Sequence, residues 1–265
     1  MKRRGLMIIH NFRPGPTGGA ELQAERLAGK LVELGHPMQV LTRLTAPEAL
    51  PEEISHGVHI HRADFPLAYQ VTTGVTKTFK FLVKYRHTFD ILHVHMAYGH
   101  AVVATVVARS FGKKCIIKIA CLGEYGDLYN FCQFARFKWA LEILHQADAL
   151  IAISQDVAED LRRWGFPPQR IHYIPNGVDT GHFRRIQPYA PGPLTRFVLV
   201  GRRHPQKGID LALQAVRLLR AQCLSDRFHI NFYGADYPEY DYPDMARQLG
   251  VTENVTFFPF KQTIL

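Results

Sequence analysis

The stretch RFVLVGRRHPQKGID, Arg196 to Asp210, decides the fold. Phe197, Val198, Leu199 and Val200 read as a buried strand, Gly201 as a turn, Arg202, Arg203 and Lys207 as a basic loop, and Gly208 as the mouth of a helix. An apolar run that gives way through glycine to helical periodicity is the pattern of a parallel βα unit. Unbonded N–H groups and the helix dipole favour an anion at such a mouth, and Arg202 and Lys207 would add two cations able to grip a diphosphate. A solvated basic surface loop would show the same local pattern, so the remainder of the chain has to choose between the two.

Moving back towards the N-terminus, Gln187 to Leu194 (QPYAPGPL) concentrates three prolines and a glycine and reads as a linker. It divides the chain into a first domain, residues 1–186, and a second, residues 195–265. The first domain opens with an apolar run, Gly5 to His10, a Gly/Pro-rich loop, Asn11 to Gly19, a helix carrying Leu22, Leu27, Leu31 and Leu34 near one face, and a strand at Met38 to Leu41. In this βαβ opening Gly18 and Gly19 stand where backbone can approach phosphate without a Cβ in the way. His56 to Arg62 alternates as a strand, and Thr76 to Thr88 reads as a helix with Lys77, Lys80 and Lys84 on one side and Phe79, Leu82 and Val83 on another. That profile suits a helix resting on an anionic bilayer, and equally a covering helix with a solvated basic face.

Further strands are expected at Asp90 to Met96, Lys114 to Ala120 and Asp148 to Ser154, with a small-residue helix at Ala101 to Ala108 and a long one at Leu128 to Ala147. The second domain continues with a helix at Ile209 to Ala221 and strands at His229 to Tyr233 and Val255 to Phe260. His95, Glu124 and Asp127 therefore fall at the carboxyl ends of parallel strands, where open α/β sheets bind ligands, and are the candidate catalytic groups. A lone strand histidine is also a common structural group, and acids in a glycine-containing loop also serve as turn formers and caps.

Composition sets outer bounds. The 265 residues are 47% hydrophobic and 21% charged, which is ordinary for a globular protein, and the net charge of +9 points to an anionic partner. No nucleic-acid motif and no zinc-type Cys/His spacing accompanies the charge, so neither a nucleic-acid partner nor a metal is expected. Cys115, Cys121, Cys132 and Cys223 form no CxxC pair and no disulfide framework, which suits a reducing compartment. The apolar run after Lys2, Arg3 and Arg4 is too short for a signal peptide, no run reaches membrane-spanning length, and the acceptor pattern Asn254-Val255-Thr256 is read as chance. A cytoplasmic protein, peripheral at the inner face of the membrane if the basic helix engages lipid, is the expectation. A dinucleotide-binding domain is disfavoured because the glycines (Gly15, Gly18, Gly19) are spaced G-x-x-G-G and no acid follows the second strand; Arg43 leaves an NADP enzyme as an alternative.

Five segments together resemble the family-4 glycosyltransferases of the GT-B fold: Pro16 to His36, Asp90 to Met96, Ala147 to Ser154, Ile174 to Asp179 and Val200 to Asp210. The resemblance implies an α/β protein of two Rossmann-like domains, the first complete with a mostly parallel sheet and binding the acceptor, the second binding a UDP- or GDP-sugar. It implies that Arg202 and Lys207 hold the donor diphosphate, that Gly18 and Gly19 close over it, and that a sugar passes to a glycan or lipid-linked acceptor with retention of anomeric configuration. No cofactor beyond the nucleotide-sugar co-substrate is implied. The family's E-x7-E segment is not reached before Leu265, so the second domain is expected to be incomplete, through truncation, with impaired activity and an apolar edge at its third strand. A non-catalytic fragment that binds acceptor or membrane surface is the alternative of a different class.

Overall fold

The computed structural model describes residues 2–14, 18–64, 74–132, 138–185, 192–222, 224 and 226–259. The chain forms two compact units, Met1–Asp179 and Thr180–Leu265. Residues 187–191 of the proline-rich segment, together with Gly15, Cys223, Phe260 and the last five residues, lie outside the described residues.

Unit 1 is built on an eight-stranded sheet ordered β3-β4-β2-β1-β5-β6-β7-β8. In chain order its elements are β1 (Gly5–Ile8), α1 (Gly19–Glu33), β2 (Met38–Arg43), β3 (Glu52–Ser55), β4 (Val58–Ala63), α2 (Val75–Lys84), β5 (Ile91–His95), α3 (Gly99–Ser110), β6 (Lys114–Ile119), α4 (Asp127–Cys132), α5 (Lys138–Leu144), β7 (Ala149–Ala152), α6 (Gln155–Arg163) and β8 (Ile171–Tyr173). All neighbours pair in parallel except β3 with β4. Central strands read as continuous apolar runs because both faces are covered: Leu6 and Ile8 of β1 belong to one core with Val94 and Ile117, while Met7 and Ile9 belong to another with Ala24, Ala28 and Val40. Arg4 locks the entry to the sheet, its guanidinium donating to Asp90 at 2.8 and 3.2 Å and to the His87 carbonyl at 2.8 Å. That pairing holds the Asp90 carboxyl well below the usual carboxylate range.

The sequence-based expectations for unit 1 need three corrections. The face of α1 against the sheet is Ala24 and Ala28 flanked by Leu27 and Leu31, because small residues let the helix lie close; Leu34 is exposed just past its end. His56 and Gly57 are the tip of a hairpin, with φ of 49° and 74°, and not the start of a strand. Positive φ at both positions matches the twist of tight hairpins and lets β3 fold back on β4. The strand β3 itself is too short, acidic and exposed to be read in advance. Of the long helix expected at Leu128 to Ala147, α4 and α5 are described as helical, and 133–137 lie outside the described residues.

Unit 2 contains β9 (Thr195–Val200), α7 (Ile209–Ala221), β10 (Phe228–Tyr233), α8 (Tyr242–Gln248) and β11 (Val255–Phe258), the strands forming a parallel sheet ordered β11-β10-β9. Its core joins Ile209, Leu213 and Val216 of α7 to Phe228 and Phe232 of β10 and to Tyr242, Ala246 and Val251. The strand expected to be buried is not: Phe197, Val198 and Val200 are more than half exposed. The reason is topological, since β9 is an edge with only Leu199 packed against the core. On β11, also an edge, Phe257 and Phe258 are half-buried, and Phe260 lies outside the described residues. The carboxyl ends of β9 and β10 come so close that a Cβ on Gly234 would lie 1.8 Å from the Gly201 carbonyl oxygen.

Candidate active site

The carboxyl ends of β1, β5 and β6 gather polar side chains in a part of the sheet that is otherwise apolar. His10 follows β1, His93 and His95 lie on β5, and His100 opens α3; all four are buried. The rings of His93 and His95 stack at 4.9 Å, those of His10 and His100 lie 4.8 Å apart, and the His95 carbonyl accepts from His100 Nε2 at 2.9 Å. Burial keeps three of these imidazoles neutral: it lowers His10 to about 2 and His93 to about 4, and drives His95 down with help from His93, Lys118 and His100. A neutral imidazole carries no charge to a ligand but keeps both a donor and an acceptor. The expected lone strand histidine thus has two histidine neighbours, His93 and His100.

Directly after His95 the chain makes a left-handed turn at Met96, φ 71°, an uncommon conformation for a side chain of this size and one that clusters at functional sites. The turn is held by the Met96 N–H donating to the Lys118 carbonyl at 3.0 Å. Asp127, the first residue of α4, is buried and accepts the N–H groups of Ala97 and Ala120, tying together the segments that follow β5 and β6. Burial nevertheless dominates and pushes its carboxyl up to about 7, and Oδ2 has no hydrogen-bond partner among the described residues. Glu124 sits three residues earlier on a 3₁₀ turn, Gly123–Tyr125, and is exposed. The two acids therefore occupy opposite environments: one carboxylate in solvent, one acid close to neutral inside the fold.

Lys118 is the functional group that sequence reasoning passed over. It is 5% exposed on β6, and Nζ donates to Gln23 Oε1 at 2.5 Å and Asn176 Oδ1 at 2.6 Å. Desolvation lowers its pKa to about 8. An ammonium has three donors, and two are used among the described residues. Gln23 lies one turn into α1 from the glycine opening, and Asn176 belongs to the Asn176-Gly177-Val178-Asp179 turn, so Lys118 draws together segments far apart in sequence. At that opening Gly18 N–H donates to Glu21 Oε2 at 2.8 Å, so a carboxylate already sits where an anion is favoured, and a Cβ on Gly19 would meet nothing within 4 Å. The signal in the sequence was a lysine inside the apolar run KCIIKIA.

In unit 2 the basic loop separates its cations. Arg203 is buried, ion-pairs with Asp236, donates to the Phe258 carbonyl at 2.7 Å and lies over the Phe257 ring. Arg202 and Lys207 are exposed, Lys207 closing a 3₁₀ turn, Pro205–Lys207, with its stem over Gly201. Gly208, φ 64°, caps α7 in a left-handed conformation that glycine adopts without strain.

On the outer side of unit 1, Lys77, Lys80 and Lys84 are exposed on α2. Beside them an apolar pocket of about 330 Å³ opens between α2, α3 and α5, lined by residues including Val75, Phe79, Val102, Val106, Trp139 and Ile143. Trp139 is 53% exposed at this pocket. Among the described residues no helix is long and apolar enough to cross a membrane.

Both units are α/β folds on mostly parallel sheets, with polar and cationic groups at the carboxyl ends of their strands, the fold of GT-B proteins. Among solved structures the chain is similar to Anabaena HepE in complex with UDP and glucose, with a TM-score of 0.70 at 18% identity, covering 98% of this chain and 70% of that one. It is also similar to sucrose-phosphate synthase from Thermosynechococcus elongatus, with a TM-score of 0.74 at 17% identity, covering 98% and 71%. Glycosyltransferase Family 4 matches residues 17–182, and the chain belongs to that family. Among curated proteins it is 23% identical over 231 residues to the phosphatidylinositol N-acetylglucosaminyltransferase gpi3 subunit of Schizosaccharomyces pombe, covering 84% of this chain and 50% of the relative. It is 26% identical over 298 residues to the D-inositol 3-phosphate glycosyltransferase of Stackebrandtia nassauensis, covering 96% and 66%. The chain thus spans half the length of the first of these relatives.

Proposed function

We propose that the chain transfers a sugar from a UDP- or GDP-sugar to a glycan or lipid-linked acceptor with retention of anomeric configuration. The observation that carries this reading is the exposed pair Arg202 and Lys207 at the carboxyl end of β9 and the mouth of α7. As the glycosidic bond to the diphosphate breaks, negative charge grows on the leaving group, and fixed cations with free helix N–H groups stabilise that charge most in the transition state. Within unit 1, the backbone at Gly18 and Gly19 is suited to a phosphate once Glu21 yields.

Of the three candidate catalytic groups, Glu124 has the carboxylate in solvent and is assigned to the acceptor hydroxyl. His95 and Asp127 are positioning groups that hold the ends of β5 and β6. Transfer assays with UDP- and GDP-sugars, followed by NMR of the product anomer, test the reaction; an inverted product contradicts retention, and absence of donor binding contradicts the donor site.

The apolar pocket beside the lysine face of α2 favours a lipid-linked acceptor over a free glycan, since it pairs an apolar recess with cations suited to a phosphate headgroup. Co-sedimentation with anionic vesicles should be salt-sensitive and should fall when Lys77, Lys80 and Lys84 are changed to Gln. Equal sedimentation with neutral vesicles would remove the membrane part of the reading.

A further inference from the structure

We propose that Glu52, His59 and His61 form a binding site for a single Zn²⁺-like divalent ion on the outer hairpin of unit 1. In the antiparallel pairing of β3 with β4, Glu52 stands opposite His61, and the two-residue period of β4 puts His59 on the same face. One ligand atom from each of the three lies within 4.8 Å of the others. Glu52 Oε1 is 3.4 Å from His61 Nδ1, and Glu52 Oε2 is 3.6 Å from His59 Nε2. A tetrahedral ion with bonds of about 2.0–2.2 Å holds its ligand atoms about 3.3–3.6 Å apart.

The hydrogen bonds behind the site fix which atom of His61 faces it. Gln39 Nε2 donates to the Thr88 carbonyl at 3.1 Å, which orients the amide so that Oε1 turns to His61 Nε2, also at 3.1 Å. An amide oxygen only accepts, so the proton of His61 resides on Nε2 and Nδ1 carries a bare lone pair. The His61 side chain is 4% exposed, and Nδ1 has no hydrogen-bond partner among the described residues. A lone pair therefore faces a carboxylate oxygen across 3.4 Å, an arrangement that a cation between them resolves. Gln39 then serves as the outer partner that orients a ligating imidazole.

Two imidazole nitrogens and one carboxylate suit Zn²⁺, Co²⁺ or Ni²⁺ better than Mg²⁺ or Ca²⁺, which prefer oxygen throughout. Glu52 and His59 are 59% and 41% exposed, so water has room to complete the coordination. Of the surrounding charges, Lys84 on α2 opposes the ion, while Phe81 and Tyr85 pack against the His61 ring without charge. The site lies at the β3 edge of the sheet, so its role is to fasten the hairpin.

Titration of the full chain with Co²⁺, followed by Zn²⁺ displacement, tests the site. The expected result is one equivalent of Co²⁺ giving an intense low-coordinate visible spectrum, displaced by Zn²⁺. Affinity should fall by about tenfold or more in both His59→Ala and Glu52→Gln, with circular dichroism checking that these partly exposed substitutions leave the fold intact. Uptake unchanged in both variants, a weak six-coordinate spectrum, or no uptake by the wild-type chain overturns the proposal.

Discussion

Both units place cations at the carboxyl ends of parallel strands, but they treat them oppositely. In unit 1 Lys118 is enclosed and held by Gln23 and Asn176; in unit 2 Arg202 and Lys207 stand in solvent while their neighbour Arg203 is enclosed by Asp236 and the Phe258 carbonyl. The difference teaches that position on a Rossmann-like sheet does not by itself make a cation a ligand group. A buried cation most of whose donors have partners mainly positions chain segments, whereas an exposed cation has its donors available. On this ground Lys118 organises the glycine opening and the Asn176 turn, and Arg202 and Lys207 are the cations proposed to meet the donor diphosphate.

The comparison can be broken most severely at Gly234. Gly234→Ala drives a methyl into the Gly201 carbonyl, where only backbone can yield, and the loss should reach about 3 kcal/mol, at the upper end of the overpacking range. Urea unfolding should show this loss in unit 2, and a variant as stable as wild type would show that the β9–β10 approach is looser than described. A smaller loss is expected from Lys118→Met, which breaks the bonds to half-buried Gln23 and exposed Asn176 and leaves both oxygens within reach of water, costing about 1 kcal/mol by the same measurement. A stability unchanged by this substitution would mean that Lys118 organises nothing.

The pH dependence of Asp127 sharpens the contrast between enclosed and open acids. Its carboxyl is raised from 3.8 to about 7, so the native state holds a proton that the unfolded chain releases. This contribution to stability is fully present below about pH 4 and is lost as pH rises towards 7. Asp127→Asn removes the titrating group while keeping an acceptor for the Ala97 and Ala120 N–H groups, so its stability should fall less between pH 4 and pH 7 than that of wild type. Identical pH profiles in thermal melts would contradict the raised value.

The fold was legible because buried parallel strands write themselves as apolar runs and their turns as glycine. Two places resisted for physical reasons. The strand β3 is short, acidic and half in solvent, so Glu52 shows no strand pattern until His56 and Gly57 are seen turning it onto β4. Phe197 to Val200 looked buried because apolar periodicity reports what a strand is made of and not what covers it. In the candidate site, Arg202, Lys207 and Gly208 could be placed from local spacing. Lys118 could not, because its partners are 95 and 58 residues away, and only the folded sheet brings them to it.

The central claim is that the exposed cations of unit 2, and not merely the cationic character of the chain, bind the donor diphosphate. Calorimetric titration of UDP into wild type and into Arg202→Ala, Lys207→Ala and the double variant tests it most directly. The predicted result is affinity falling by about tenfold or more in each single variant and further in the double, while their unfolding free energies stay within about 0.5 kcal/mol of wild type. Undiminished UDP binding in the double variant would contradict it.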